Sequence, residues 1–455
     1  MRTSTNTPPA TRPQKSGTFK GDLPLKLFAL AFGGFLGLAL LKFPNPAVVE
    51  HLIAAPTNGW EWALMAWPVR FAYPLMGVLV LVGLALLRWP AQVSKLSALL
   101  PMAWLLWVGL SASQTIDAKV TGITLVHFGL CVACFYVGLL VVGRLRQPGW
   151  FFLGLIGAFL VVLATGWEQH FGGLQATRTN YWLYIYPTLK EPPSPELLKR
   201  MQSERIFSTL FYANSLAGAL LLLTPFVLGL IADAKARFTG GARWLLGAVV
   251  GVGAAGCLVW SGSKSGWLLA LGLAVVVLLR LPVQRRLKIV IVSLLLVAGV
   301  AGFAVRYLGF FQRGAPSVIE RFNYWKAAAQ NVAAHPVLGS GPGTFATVYK
   351  RLKPPEAEMA RLVHNDYLQQ ASDSGCVAGV LFLATVSWVL VGTRRVWRED
   401  DWTTFGVWLG LAGFASQAVV EFGFYVPATG WCWFGFAGWL VAKTGLGFDN
   451  RKLLA

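Results

Sequence analysis

Four residues have types and positions suited to chemistry on a phosphate: Arg205, Lys264, Arg321 and His364. Arg205 opens the run Arg205-Ile206-Phe207-Ser208-Thr209-Leu210-Phe211-Tyr212-Ala213-Asn214. Lys264 sits in the short turn Ser261-Gly262-Ser263-Lys264-Ser265-Gly266. Arg321 stands four residues before Trp325, and His364 heads His364-Asn365-Asp366-Tyr367. Arginine forks onto phosphate with charge-assisted hydrogen bonds, and lysine adds a compact point charge. Histidine is the side chain whose ordinary titration covers neutral pH. Together they suit a phosphate leaving group and an acceptor hydroxyl that must lose its proton. Taken singly, each has a plainer reading: a boundary arginine snorkels to lipid headgroups, and a loop histidine serves structure. Convergence in space decides between the two.

What positions these residues follows from composition. The chain has 455 residues, 56% hydrophobic and 13% charged. Soluble domains carry about 25% charged residues, so a soluble enzyme, a disordered chain and a fibrous one are all excluded. Twenty Trp and 29 Phe fit the aromatic belts of a membrane protein. A helix crosses a bilayer with about 17–25 apolar residues. Twelve stretches qualify: 26–42, 71–88, 97–113, 121–143, 150–169, 210–232, 244–260, 265–281, 289–306, 375–393, 403–421 and 427–443. The expected fold is an all-α polytopic membrane protein of about 12 transmembrane helices.

Charge then orients the chain. With residues 1–25 placed in the cytoplasm, every second loop holds the basic residues: 22 of the 39 Lys and Arg, against six of the 19 Asp and Glu. The positive-inside rule puts both termini in the cytoplasm, and the net charge of +20 needs no nucleic-acid partner. The expected organisation is a disordered cytoplasmic tail at 1–25, an N-terminal transmembrane bundle at 26–169 and an outer loop at 170–209. Transmembrane helices at 210–306, a large outer loop at 307–374, C-terminal helices at 375–443 and a tail at 444–455 complete it. Within the large loop, Ile319, Phe322, Trp325 and Ala329 recur at helical spacing, which predicts a helix over 317–332 that Pro336 ends. Short helices are expected at 348–352 and 356–367, and Gly339, Gly341 and Gly343 mark a turn between.

Other motifs fail on context. Gly251, Gly253 and Gly256 spell a dinucleotide fingerprint, but within an apolar span, where small residues let helices approach. Ser261-x-x-Lys264 and Lys443-Thr444-Gly445 resemble parts of a penicillin-binding site but fall at opposite faces. Cys131 and Cys134 lie in an apolar helix and read as small hydrophobes. No histidine pair has zinc-ligand spacing.

At the four polar residues the chain resembles the O-antigen ligase and polymerase superfamily of bacterial multispanning membrane glycosyltransferases. The resemblance runs from about Arg205 to Pro427. It rests on His364-Asn365-Asp366-Tyr367 with Gly375 and Gly379, on Arg205, Asn214 and Ala217, and on the Ser263–Gly266 turn. Arg321 with Trp325, the Pro336–Gly341 loop and the Glu421–Pro427 segment add to it. The resemblance implies a GT-C-like fold with a large periplasmic loop in the inner membrane. The donor would be a glycan on a polyprenyl diphosphate, used without metal or other cofactor. Arg205, Lys264 and Arg321 would hold the diphosphate and His364 would be the catalytic base, with Asn214, Trp325, Asn365, Asp366, Tyr367 and Glu421 in support. Asp366 is the expected orienter of the imidazole. Two departures stand out: Lys264 replaces the family's usual Arg, and Gln417 and Glu421 stand where a His and an Asp are expected.

The acceptor hydroxyl stays open at this level. It can belong to lipid A core, to another glycan in a polymerase, or to protein in an O-oligosaccharyltransferase. A transporter or flippase of lipid-linked glycan is the reading from another class. Transporters place ionisable residues near the bilayer midplane, whereas here they gather at one face.

Overall fold

The computed structural model describes residues 23–445 except 91–92, 146, 189–197 and 199–200. Most of the expected tails at 1–25 and 444–455 lies outside the described residues. Among the described residues the chain is helical, with no strand. Lipid enforces this, because each backbone N–H and C=O there must find its partner within its own segment.

The bundle is built from α1 (Leu23–Lys42), α2 (Ala72–Leu86), α3 (Leu100–Ser111), α4 (Ala118–Leu140), α5 (Gly149–Glu168), α6 (Ala213–Asp233) and α7 (Gly240–Ser261). It continues with α8 (Lys264–Arg280), α9 (Arg285–Gln312), α10 (Pro316–Ala334), α11 (Phe345–Leu352), α12 (Asp366–Gly392), α13 (Trp402–Gln417) and α14 (Pro427–Thr444). Among the described residues, nine helical runs are long and apolar enough to cross a membrane. The other three expected spans are the helices α8, α13 and α14, which fall outside that set. For α14 the reason is its place. Every residue except Lys443 is buried inside the protein, so neighbours rather than lipid determine its composition. The opposite case is α9, whose most apolar window has no residue buried in the protein.

Three expected boundaries shift. Past 169 the helix kinks at Phe171 and Gly172, where Gly172 takes φ 129°, and helical turns then resume as far as Thr188, so most of the first part of the expected 170–209 loop is helical. Leu174 and Tyr181, two turns apart, give that extension a buried side. The expected helix at 356–367 is absent. Pro354 and Pro355 open that stretch, and the Lys353 ammonium ties the carbonyls of Pro354, Pro355 and Ala357 into a turn. α12 begins at Asp366, nine residues before the expected 375, because Asn365 caps it through a hydrogen bond from Leu368 N–H at 3.0 Å.

Small residues set the closest packing. A Cβ on Gly410 would stand 2.0 Å from the Leu222 carbonyl oxygen, and one on Gly406 2.3 Å from that of Pro225. α13 and α6 therefore pack backbone against backbone. Another close approach lies within α12, where Gly375 takes φ 84°, ψ 167° and kinks the helix. The Val337 carbonyl fills the space where a Cβ would be, and Cys376 N–H bonds Pro336 O at 2.8 Å. The Pro336–Gly343 turn thus docks into the kink. Gly375→Ala is expected to lose about 1–3 kcal/mol to backbone strain alone, more with the clash. A lowered thermal midpoint of the detergent-solubilised protein would register it.

Candidate functional site

Successive helices reverse direction, so the end of α7, the start of α8, the end of α9 and the starts of α6 and α12 meet at one end of the bundle. Arg205, Lys264, Arg321 and His364 all come to that end, and a fifth residue joins them. Glu421 lies in the loop between α13 and α14 and is buried. Its Oε1 accepts a hydrogen bond from Asn214 Nδ2 at 2.5 Å and an ion-paired hydrogen bond from the Arg321 guanidinium. Its Oε2 faces His364 Nδ1 at 3.3 Å. Asn214 Oδ1 in turn accepts from Arg205 Nη2 at 2.6 Å, and Arg205 Nε donates to Ser261 O at 2.6 Å. One carboxylate thus links segments more than 200 residues apart.

Electrostatics fit this arrangement. Burial pushes the Glu421 carboxyl up, yet the Arg321 charge, the His364 contact and the Arg205 charge together hold it below the usual 4.5. A carboxylate only accepts hydrogen bonds, so the Nδ1 facing it carries the proton, and Nε2 is the nitrogen able to take one. The imidazole lies between Tyr324, at a centroid distance of 5.6 Å, and Phe422, edge-on at 4.7 Å. Its backbone has φ 55°, a left-handed conformation uncommon for a residue with a side chain.

The rest of His364-Asn365-Asp366-Tyr367 places that ring. Asp366 N–H bonds Ala418 O at 2.8 Å, and Asp366 Oδ2 accepts from Phe424 N–H at 3.0 Å. The Tyr367 hydroxyl donates to Ala415 O at 2.8 Å. These bonds clamp the loop carrying Glu421 against the helix start carrying His364. Asp366 is therefore not the expected orienter of the imidazole: its carboxylate is bound to backbone, and Glu421 holds Nδ1 instead. Gln417 donates to Asn214 O at 3.0 Å and braces the first turn of α6.

Lys264 reaches the site differently. Its ammonium sits 3.8 Å from the Phe310 ring centroid and 5.1 Å from that of Tyr307, a cation–π seat at the end of α9. Arg205 and Arg321 are near enough for their charges to act on it. Trp325 is edge-on to Phe322 at 5.6 Å and packs on the small core of α10 and α11 that includes Tyr324.

Residues 250–383 match the family model described as O-antigen ligase. The match places this segment in the O-antigen ligase and polymerase superfamily. It is narrower than the resemblance from Arg205 to Pro427, and it takes in Lys264, Arg321 and His364. Arg205, Asn214 and Glu421 fall outside the matched segment and join it through the hydrogen bonds above. No curated protein matches the chain. The family supports a membrane glycosyltransferase, and the helical bundle agrees with it.

Several contributors escaped the sequence. Tyr324, three residues after Arg321, had a legible signal, since that spacing puts both on one side of α10. Phe310 and Tyr307 had none, because aromatic residues at the end of an apolar span read as a membrane belt. Gln169 is another. Its side chain accepts from the N–H groups of Phe207 and Ser208 and donates to Ser208 O, fixing the run that carries Arg205.

Proposed function

We propose that the protein moves a glycan from a polyprenyl-diphosphate carrier to an acceptor hydroxyl at the periplasmic face of a bacterial inner membrane, as an O-antigen ligase does. The observation that carries this reading is the carboxylate of Glu421, held by Arg321 and Asn214 on one oxygen and facing His364 Nδ1 with the other.

In this reading the diphosphate rests on Arg205, Lys264 and Arg321. Each guanidinium has five N–H donors. Arg321 commits three, to Val420 O, Ser317 O and Glu421, and Arg205 commits two. Donors remain on both for phosphate oxygens. His364 Nε2 takes the proton from the acceptor hydroxyl, the acceptor oxygen bonds the anomeric carbon, and the bond to the phosphate oxygen breaks. The diphosphate leaves with that electron pair, and attack from the opposite face inverts the anomeric centre. Negative charge grows on the leaving group as the bond breaks, so the fixed cations favour the transition state over the ground state.

Lys264→Ala is expected to raise the donor KM about tenfold, since it removes one charged contact from the diphosphate, while Lys264→Arg keeps the charge and most of the affinity. Initial rates against donor concentration read both. The reaction itself is tested by reconstituting the purified protein with a lipid-linked glycan. Lipid A core, a second lipid-linked glycan and a hydroxyl-bearing protein are then offered as acceptors. One of them gaining glycan supports the proposal and names the branch. Donor crossing the bilayer with no glycosylated product would assign transport instead.

A further inference from the structure

Beside the diphosphate site lies a cavity that the proposed reaction leaves unused. It is a half-open cleft of about 340 Å³, and its lining includes Arg178, Arg205, Arg306, Glu204, His170 and Trp260. That volume falls within the usual range for small-ligand sites, about 300–1,000 Å³. Arg205 belongs to both places, lining the cavity while its Nε and Nη2 bond Ser261 and Asn214 on the Glu421 side. One wall is aromatic. The His170 ring stacks on Trp260 at 3.8 Å with the planes 9° apart, and Trp167 meets the indole edge-on at 4.8 Å. The charged lining residues are three arginines and one glutamate. Arg178 bonds Ser203 O and Gln175 Oε1, yet its buried Nε has no hydrogen-bond partner among the described residues.

The outer face of the exposed His170 ring, whose other face covers Trp260, lies beside unspent guanidinium donors, and that pairing matches one chemistry well. The C–H groups of a pyranose lie against aromatic faces, and a carboxylate or phosphate on the sugar takes the forked arginine bonds. We infer that this cavity binds an anionic sugar, a uronate or a sugar phosphate, belonging to the glycan donor or to the acceptor. The inference rests on the glycosyl transfer proposed above and names a substrate feature for it.

Saturation-transfer NMR on the detergent-purified full chain tests it, with glucuronate, glucose 6-phosphate, glucose and inorganic phosphate as probes. Glucuronate and glucose 6-phosphate are expected to bind at least about tenfold more tightly than glucose or phosphate. The double variant Arg178→Ala, Arg306→Ala should lose about tenfold or more of that affinity. Arg306 is exposed, so Arg306→Ala alone serves if the double variant fails to fold. Equal binding of glucose, equal binding of phosphate, or unchanged affinity in the variants overturns the inference. So does displacement of nothing but phosphatidylglycerol vesicles, which would mark a lipid-headgroup site. With an acidic glycan in turnover, a raised KM for donor or for acceptor tells which of them occupies the cavity. The NMR titration needs no turnover. A protein that binds the sugars and transfers nothing would sink the proposed reaction alone, and one that transfers glycan without binding them would sink only this site.

Discussion

Replacing His364 by alanine is expected to lower the turnover number for glycan transfer by about 10²–10⁴-fold, the usual contribution of a positioned base. The donor KM should change little, because the proposed diphosphate contacts sit on Arg205, Lys264 and Arg321. The fold should survive. The imidazole side chain is 27% exposed, and its loss leaves the Asp366 and Tyr367 clamps in place. Alanine also keeps the strain of φ 55°, worth about 1–3 kcal/mol, so the comparison isolates the ring. Turnover, donor KM and thermal midpoint in detergent read the three parts separately. Wild-type turnover in a folded His364→Ala protein would remove the proposed base.

The residues with rare types in apolar surroundings were legible in the sequence; their partners were not. A cation or histidine between apolar stretches stands out because lipid excludes charge, and that sorting brought Arg205, Lys264, Arg321 and His364 forward. The structure brings those four to one end of the bundle. Which carboxylate faces the imidazole was hidden. Asp366 is two residues from His364 and Glu421 is 57, but sequence proximity says little where a helix starts. There the side chains of successive residues point different ways: Asp366 turns to the Phe424 N–H while His364 turns to Glu421. Helices were legible by hydropathy, and their ends less so. A bilayer sets how long the apolar part must be, whereas caps and kinks such as Asn365 and Gly375 decide where the helix stops. The anionic-sugar cavity had no sequence signal, since Arg178 and Arg306 lie 128 residues apart in segments read as a loop and the end of a span.

Glu421→Gln is expected to damage activity and stability together, by two separable routes. The first is the tautomer. The carboxylate holds the proton on His364 Nδ1, whereas a glutamine amide can offer its own N–H to Nδ1 and move the imidazole proton to Nε2, where no base remains. Loss of turnover by about 10⁴-fold follows from that change where a carboxylate orients a catalytic histidine. The second is charge. Arg321 and Glu421 have side chains only 18% and 6% exposed, and removing one member of a buried pair costs about 3–5 kcal/mol. The pH dependence carries the same signature. A carboxyl held below 4.5 in the fold adds stability above its unfolded value and loses it as pH falls through the folded one. The wild-type thermal midpoint should therefore show a Glu421 contribution that fades only below about pH 4.5, and Glu421→Gln should lack that limb. Adding Arg321→Met separates the routes. With both charges gone, stability should recover toward wild type, while transfer stays lost because neither the dyad nor one proposed diphosphate contact is restored. Recovery of transfer along with stability would mean that Glu421 only balances Arg321 and does not orient the base.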